Sequence, residues 1–127
     1  MADVQAPDVG LRTFERSLPM ALMRAREAVM RHFRPILAEH DLTEQQWRVL
    51  RALHDAHVPL SVGDLAERTF LLGPSLSRML VTLDDRGLIA RTSVPNDARR
   101  AEITITGTGV ELVATIAPHS ERAYRHI

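Results

Sequence analysis

The chain has 127 residues, 45% of them hydrophobic, with 16 basic and 16 acidic side chains in balance and no cysteine. That length suits one domain with a small core, and the balanced charge excludes a global positive field, so any affinity for nucleic acid must be local. The missing cysteine excludes disulfide frameworks and thiol chemistry. With no apolar run of membrane-spanning length and no signal peptide, the expectation is a soluble, cytoplasmic protein.

Residues 1–17 lack firm periodicity and include Pro7 and Gly10, which predicts a flexible arm. Ser17 caps a helix over 18–40, with Pro19 tolerated in its first turn. Its apolar positions Leu18, Leu22, Ala25, Val29, Phe33 and Ile36 form more hydrophobic face than so small a core covers, which points to a partner subunit. Pro35 should kink this helix around Arg31 to Pro35. Thr43 with Gln46 forms a capping box for a second helix whose buried positions are Trp47, Leu50 and Leu53. Pro59-Leu60 reads as extended, and Ser61 with Asp64 caps a brief third helix containing Leu65 and Ala66.

Phe70 to Gly73 then turns the chain into a fourth helix, for which Gly73 serves as N-cap and Pro74 spares its missing N–H. Leu76, Leu80 and Leu83 recur as a buried stripe; Ser75, Ser77, Arg78 and Thr82 lie opposite. Gly87 ends this helix in the left-handed conformation and places Leu88 against Leu83. The β-branched run to Val94, the turn residues Pro95-Asn96-Asp97 and the alternation from Ala101 to Ile105 predict a hairpin tipped with Arg99 and Arg100. Thr106 caps a final helix with Val110, Val113 and Ile116 inside. At Pro118 it either bends or restarts, and Tyr124 and Ile127 continue its apolar side. A polar-faced helix followed by an arginine-tipped hairpin suits a DNA duplex; from these features alone it suits a solvated surface equally well.

The run Asp97-x-Arg99 followed by Ile105-Thr106-x-x-Gly109 resembles the wing signature of the MarR family of winged helix-turn-helix regulators. Leu42-Thr43-Glu44-Gln45-Gln46-Trp47-Arg48-Val49-Leu50 is similar to the opening of that family's second helix, Asp64-Leu65-Ala66 to its third, and Gly87-Leu88-Ile89-x-Arg91 to the step into the wing. With Ala25-Arg26-Glu27-Ala28 and Phe33-Arg34-Pro35, the pattern most resembles the subgroup that represses homoprotocatechuate degradation operons. Where family chains carry a longer C-terminal helix, this sequence stops at Ile127.

The resemblance implies an α+β, mainly helical fold: one winged-helix domain over 18–127, with a DNA-binding lobe at about 43–106 between dimerisation helices at 18–40 and 107–127. It also implies a homodimer reading a pseudo-palindromic operator in double-stranded DNA. The implied function is repression of an aromatic-acid catabolic operon, relieved by a small aromatic carboxylate. Ser75, Ser77, Arg78 and Thr82 are the candidates for groove contacts, Arg78 by two hydrogen bonds to guanine. Arg99 and Arg100 are candidates for the backbone or minor groove, with Asp97 holding the tip in shape.

Family members of this kind hold an effector between the dimer-forming helices and the DNA-binding lobe. Arg26, Trp47 and Arg51 supply an aromatic wall and guanidinium groups suited to it. A core tryptophan with arginines snorkelling past it fits the same spacing. Arg48 points further from the stripe and is a weaker candidate.

His54 and His57 stand three apart, but no cysteine or facing carboxylate completes a metal set, and neither metal nor cofactor is expected. Nothing resembles a nucleophile elbow, a phosphate loop or a metal-hydrolase helix, so the chain does not read as an enzyme. The alternative from another class is a winged-helix protein-interaction module without DNA binding.

Overall fold

The computed structural model describes residues 9–94 and 97–127, and the side chains of 9–93 and 100–127. The chain divides between Arg31 and His32 into two compact units. In the first, a 3-10 turn at Phe14–Arg16 leads into helix α1, Leu18–Met30. Ser17 caps α1 by accepting from the Met20 N–H at 3.4 Å, and Arg24 ties the helix back to the turn through the Glu15 carbonyl at 2.5 Å. No residue of α1 is buried.

The second unit holds helices α2 (Arg34–Glu39), α3 (Glu44–Ala56), α4 (Val62–Thr69), α5 (Gly73–Asp85) and α6 (Gly107–Tyr124). Its strands are β1 (Leu60–Ser61), β2 (Ile89–Val94) and β3 (Asp97–Ile105), which form an antiparallel sheet in the order β1-β3-β2. The kink expected at Arg31 to Pro35 is a full break. Pro35 has no N–H for the Arg31 carbonyl, so the chain turns and restarts a helix in which proline falls in the tolerated first turn. Asp41, at φ 54°, then closes α2: the Leu42 N–H bonds the Leu37 carbonyl at 3.0 Å and the Asp41 N–H bonds that of Ala38.

Thr43 and Gln46 make both bonds of the expected capping box, at 3.1 and 3.0 Å. Val49, Leu50 and Leu53 are the buried positions of α3, while Trp47 is only half-buried against the same cluster. Val49 was not among the expected set, because α3 packs on neighbours along more than one edge. Leu60 pairs with Ile103, so the extended Pro59-Leu60 does add a short strand to the hairpin. β3 begins at Asp97, earlier than the alternation from Ala101 implied. Within the hairpin Ser93 faces Ala101 but Val94 faces Asp97, a slip that puts Arg100 in the irregular part of the wing. Pro95 and Asn96, expected as turn residues, lie outside the described residues.

One core joins these elements: Leu37, Leu42, Val49, Leu50, Leu53, Leu60, Leu65, Leu76, Leu80, Leu83, Leu88, Ile89, Ile103, Val113 and Ile116. Phe33, itself buried, meets Tyr124 edge-on at 5.0 Å between centroids. Thr106 caps α6 through the Gly109 N–H, as the sequence predicts. Helix α6 then runs unbroken past Pro118, because Val113 and Ile116 before it and Ser120 and Ala123 after it are all buried on one side. That anchoring outweighs the ~3 kcal/mol that an interior proline costs a helix. Val110, expected inside, is 41% exposed, and Tyr124 and Ile127 are likewise exposed. Among the described residues no helix is long and apolar enough to cross a membrane.

Gly109 is required by close packing. A Cβ there would overlap the Leu88 carbonyl oxygen and stand 2.6 Å from Cγ1 of Ile105, whereas Gly107 has nothing within 4 Å. Gly109→Ala should therefore lose about 1–3 kcal/mol through overpacking. Gly107→Ala should gain about 0.4–1 kcal/mol by restricting the unfolded chain. Urea unfolding midpoints of the two variants check the pair, and opposite signs are the expected result.

Candidate functional site

Helix α5 presents the residues singled out for groove contact, and local chemistry sets both of its ends. Leu72, not Gly73, is its N-cap, so Gly73 and Pro74 form the first turn; the correction follows from the extended backbone of Leu72 at φ −71° and ψ 145°. At the other end Gly87 (φ 72°) donates to the Asp84 carbonyl at 2.9 Å and Leu88 to that of Leu83 at 3.0 Å. This is the left-handed helix stop with its apolar contact that the sequence predicts. Leu76, Leu80 and Leu83 are fully buried, and with about 100° per residue Arg78 falls nearly opposite them.

Ser75, Ser77, Arg78 and Thr82 are all exposed. The Thr82 hydroxyl donates back to the Arg78 carbonyl at 3.3 Å, leaving its lone pairs outward. Among the described residues, Ser75, Ser77 and Arg78 make no side-chain hydrogen bond or ion pair. Val81, 51% exposed on this same face, escaped the sequence reading because its β-branched side chain looks like core. On the wing Arg91 and Arg100 are exposed, and Arg100 shares a hollow of about 260 Å³ with Ser61, Val62 and Gly63 at the start of α4. The side chains of Asp97 and Arg99 lie outside the described residues.

Two arginines brace the segments at the ends of α5: Arg48, named above as a weaker effector candidate, and Arg86, which the sequence analysis did not assign. Arg48, on α3, donates through Nη1 to the carbonyl of buried Thr69 at 2.9 Å, at the point where α4 ends. Arg86 donates to the carbonyls of Asp41 at 2.7 Å and His40 at 3.2 Å, tying the far end of α5 to the bend before α3. All three carbonyls lie beside or on left-handed residues, Phe70 and Asp41, where the helical bonding pattern stops, and spacing along the sequence carries no sign of such long-range bonds.

The other face of α3 meets α6 around a pocket of about 200 Å³ lined by Trp47, Arg51, His54, Asp55, Val113, Ala117, Ser120 and Glu121. Trp47 and Arg51 are thus brought together as expected, with the guanidinium carbon 5.9 Å from the indole centroid. Arg51 also pairs with Asp55 at 3.4 Å. Asp55 does not face away from the histidines: His54 Nδ1 lies 3.4 Å from its other oxygen. Slight burial raises the Asp55 carboxyl, but the His54 hydrogen bond and the charge of Arg51 outweigh it and hold the group below its ordinary range. Asp55 is therefore an ionised rival to any ligand carboxylate for Arg51.

His54 also borders a second pocket, about 420 Å³, with His57, Val58 and Val110. No group of metal ligands occurs among the described residues. Arg26 lies on α1, where it pairs with Glu27 at 3.7 Å.

Arg48→Met removes the donor to a buried carbonyl and should cost about 1.5–3 kcal/mol, the range for a hydrogen bond to a charged group. A lowered urea midpoint with an unchanged slope is the expected readout.

Comparison with known proteins agrees with this arrangement. Residues 40–100 match the model of the MarR family. The chain is 42% identical over 111 residues to the homoprotocatechuate degradative operon repressor of Escherichia coli, covering 87% of this chain and 74% of that protein. It is 38% identical over 108 residues to the regulator FarR of Neisseria gonorrhoeae, covering 85% of this chain and 73% of that protein. Among solved structures, NadR in complex with 4-hydroxyphenylacetate superposes with a TM-score of 0.79 at 35% identity, over 93% of this chain and 83% of that one. Bordetella bronchiseptica BpsR, whose DNA binding is regulated by 6-hydroxynicotinic acid, gives 0.78 at 26% identity, over 92% and 83%. With its helix pair α4–α5, its three-stranded sheet and these relatives, the chain belongs to the MarR family of winged helix-turn-helix transcriptional regulators.

Proposed function

We propose that this regulator represses an aromatic-acid catabolic operon as a homodimer and releases it when an aromatic carboxylate binds. The observation that carries the reading is the bare outer face of α5, where Arg78 and two serines stand exposed without partners over a fully buried leucine stripe. In a two-fold dimer the two copies of α5 would read half-sites about one helical turn apart, a pseudo-palindrome. Arg78 would take a guanine edge, Ser75, Ser77 and Thr82 would take bases or phosphates, and Arg99 and Arg100 would lie along the backbone or minor groove, with Asp97 shaping the tip.

The dimer would form through the helices flanking the DNA-binding lobe of residues 43–106. Helix α1 supports this: it has no buried residue, and Leu18, Leu22 and Met23 are 69%, 62% and 50% exposed. Such a stripe belongs against another chain.

Trp47 and Arg51 would hold the effector by stacking and a carboxylate pair, with Arg26 as a further cation. The hydroxylated aromatic acids named for NadR and BpsR support a ligand of this class. Binding need only favour a dimer with wrongly spaced reading helices. Switching from mostly bound to mostly free needs roughly 5 kcal/mol of differential affinity.

Binding isotherms at several salt concentrations test the division of labour on DNA. Arg78→Ala should relax sequence preference, whereas Arg100→Ala should weaken all duplexes alike and lower the salt slope by about 1. Equal loss of preference in both variants would refute it. For the effector, calorimetric titration with 4-hydroxyphenylacetate should show binding that Arg51→Leu abolishes and Asp55→Asn strengthens, because the amide no longer competes for the guanidinium. The Asp55→Asn gain should persist across the whole pH range in which the ligand carboxylate is ionised, because the lowered pKa of Asp55 keeps the wild-type rival ionised throughout it.

A further inference from the structure

Two exposed apolar residues just ahead of α5 occupy backbone positions that favour small or polar residues. Phe70 closes α4 at φ 58° and ψ 31°, the left-handed region in which a bulky side chain is strained and Gly or Asn is the ordinary occupant. Its side chain is not compensated by burial, for Phe70 is 90% exposed. Leu72 is the N-cap of α5, is 78% exposed and offers no cap hydrogen bond. Ser17, Thr43, Ser61 and Thr106 cap α1, α3, α4 and α6 with a hydroxyl. Helix α2 also has an apolar N-cap, Phe33, but that side chain is buried. Among the described residues the other left-handed non-glycine positions are Asp41 and His57, residue types that tolerate the region.

The backbone carrying these side chains is firmly held. Arg48 fixes the Thr69 carbonyl at 2.9 Å, the Thr69 hydroxyl donates to Leu65, Leu71 packs on the core, and the Leu76 N–H bonds the Leu72 carbonyl at 2.9 Å. At both positions the fold itself favours a polar or small residue, and water disfavours an apolar one. Local rules broken together at one place mark a functional demand.

The place identifies the partner. Leu72 joins directly onto Gly73, Pro74 and Ser75, the N-terminal end that a helix-turn-helix directs into the major groove. The apolar group that base edges present in that groove is the 5-methyl of thymine. We propose that Phe70 and Leu72 form an apolar edge of the DNA interface that recognises thymine methyl groups, adding A·T positions beside those read by Arg78. The assignment rests on the DNA-binding reading of α5.

A duplex selected by the protein from a random-sequence pool supplies the probe, with its half-site thymines replaced one at a time by deoxyuridine, which removes only the methyl. Wild-type protein should lose about fourfold in affinity at a contacted thymine, the transfer value of one buried methyl group. The Phe70→Asn/Leu72→Ser variant should bind thymine and deoxyuridine duplexes equally. Its unfolding midpoint should match or exceed that of wild type, since Asn suits the left-handed backbone and Ser restores a cap. Leu72→Ser alone, at an exposed cap, repeats the measurement should the double variant fold poorly. Absence of any methyl-dependent position in wild type, or an undiminished penalty in the variants, overturns the proposal. Failure to enrich any duplex instead overturns the DNA-binding reading beneath it.

Discussion

Burial of Leu76, Leu80 and Leu83 is the constraint on which the rest depends. Each lies within 1% of complete burial, and at about 1.5–3 kcal/mol per buried leucine the stripe fixes the rotation of α5 about its own axis. A helix locked by one face has no freedom in the other. Arg78, Val81, Ser75 and Ser77 are therefore held outward by packing, while the Thr82 hydroxyl is also tied to the Arg78 carbonyl. Preorganisation of this kind matters for reading DNA, because side chains that need not be ordered on contact lose less entropy there.

The stripe settles rotation but not position along the helix axis, and that falls to the two arginines. Arg48 reaches the carbonyl that ends α4, and Arg86 reaches two carbonyls at the bend before α3. Arg86 thus holds the C-terminal end of α5 against a neighbouring turn, and Arg48 holds the end of α4 that leads into it. A lysine would supply one point charge where Arg86 spans two acceptors, so the lysine-free composition acquires a structural use at this position, whatever its origin.

Helix α3 links the two halves of the regulator. Arg48 looks toward the turn that starts α5, while Trp47 and Arg51 look toward α6 and the pocket between them. Successive residues on a helix point about 100° apart, so adjacent side chains serve different neighbours. The same geometry explains why Asp55, one turn after Arg51 and next to His54, engages both.

Much of this was legible in the sequence, and for a common reason. Caps at Ser17, Thr43, Ser61 and Thr106, the stop at Gly87, the leucine stripe and the hairpin alternation are all short-range patterns. Each is written in residues a few positions apart, and the structure keeps them. The candidate groove residues of α5 followed from the same periodicity.

Other features depended on elements distant in sequence. Pro35 broke its helix while Pro118 did not: α1, ahead of Pro35, has no buried residue, whereas the turns on both sides of Pro118 are buried along one face. Val110 turned outward, and Arg48 and Arg86 found partners that no spacing announces. Sequence alone determined the hydroxyl caps of α1, α3, α4 and α6, the buried leucine stripe of α5 and the polar side opposite it. Tertiary structure alone decided which polar groups would meet, since a hydrogen bond between residues 21 or 45 positions apart is set by how helices pack, and packing is a property of the whole core.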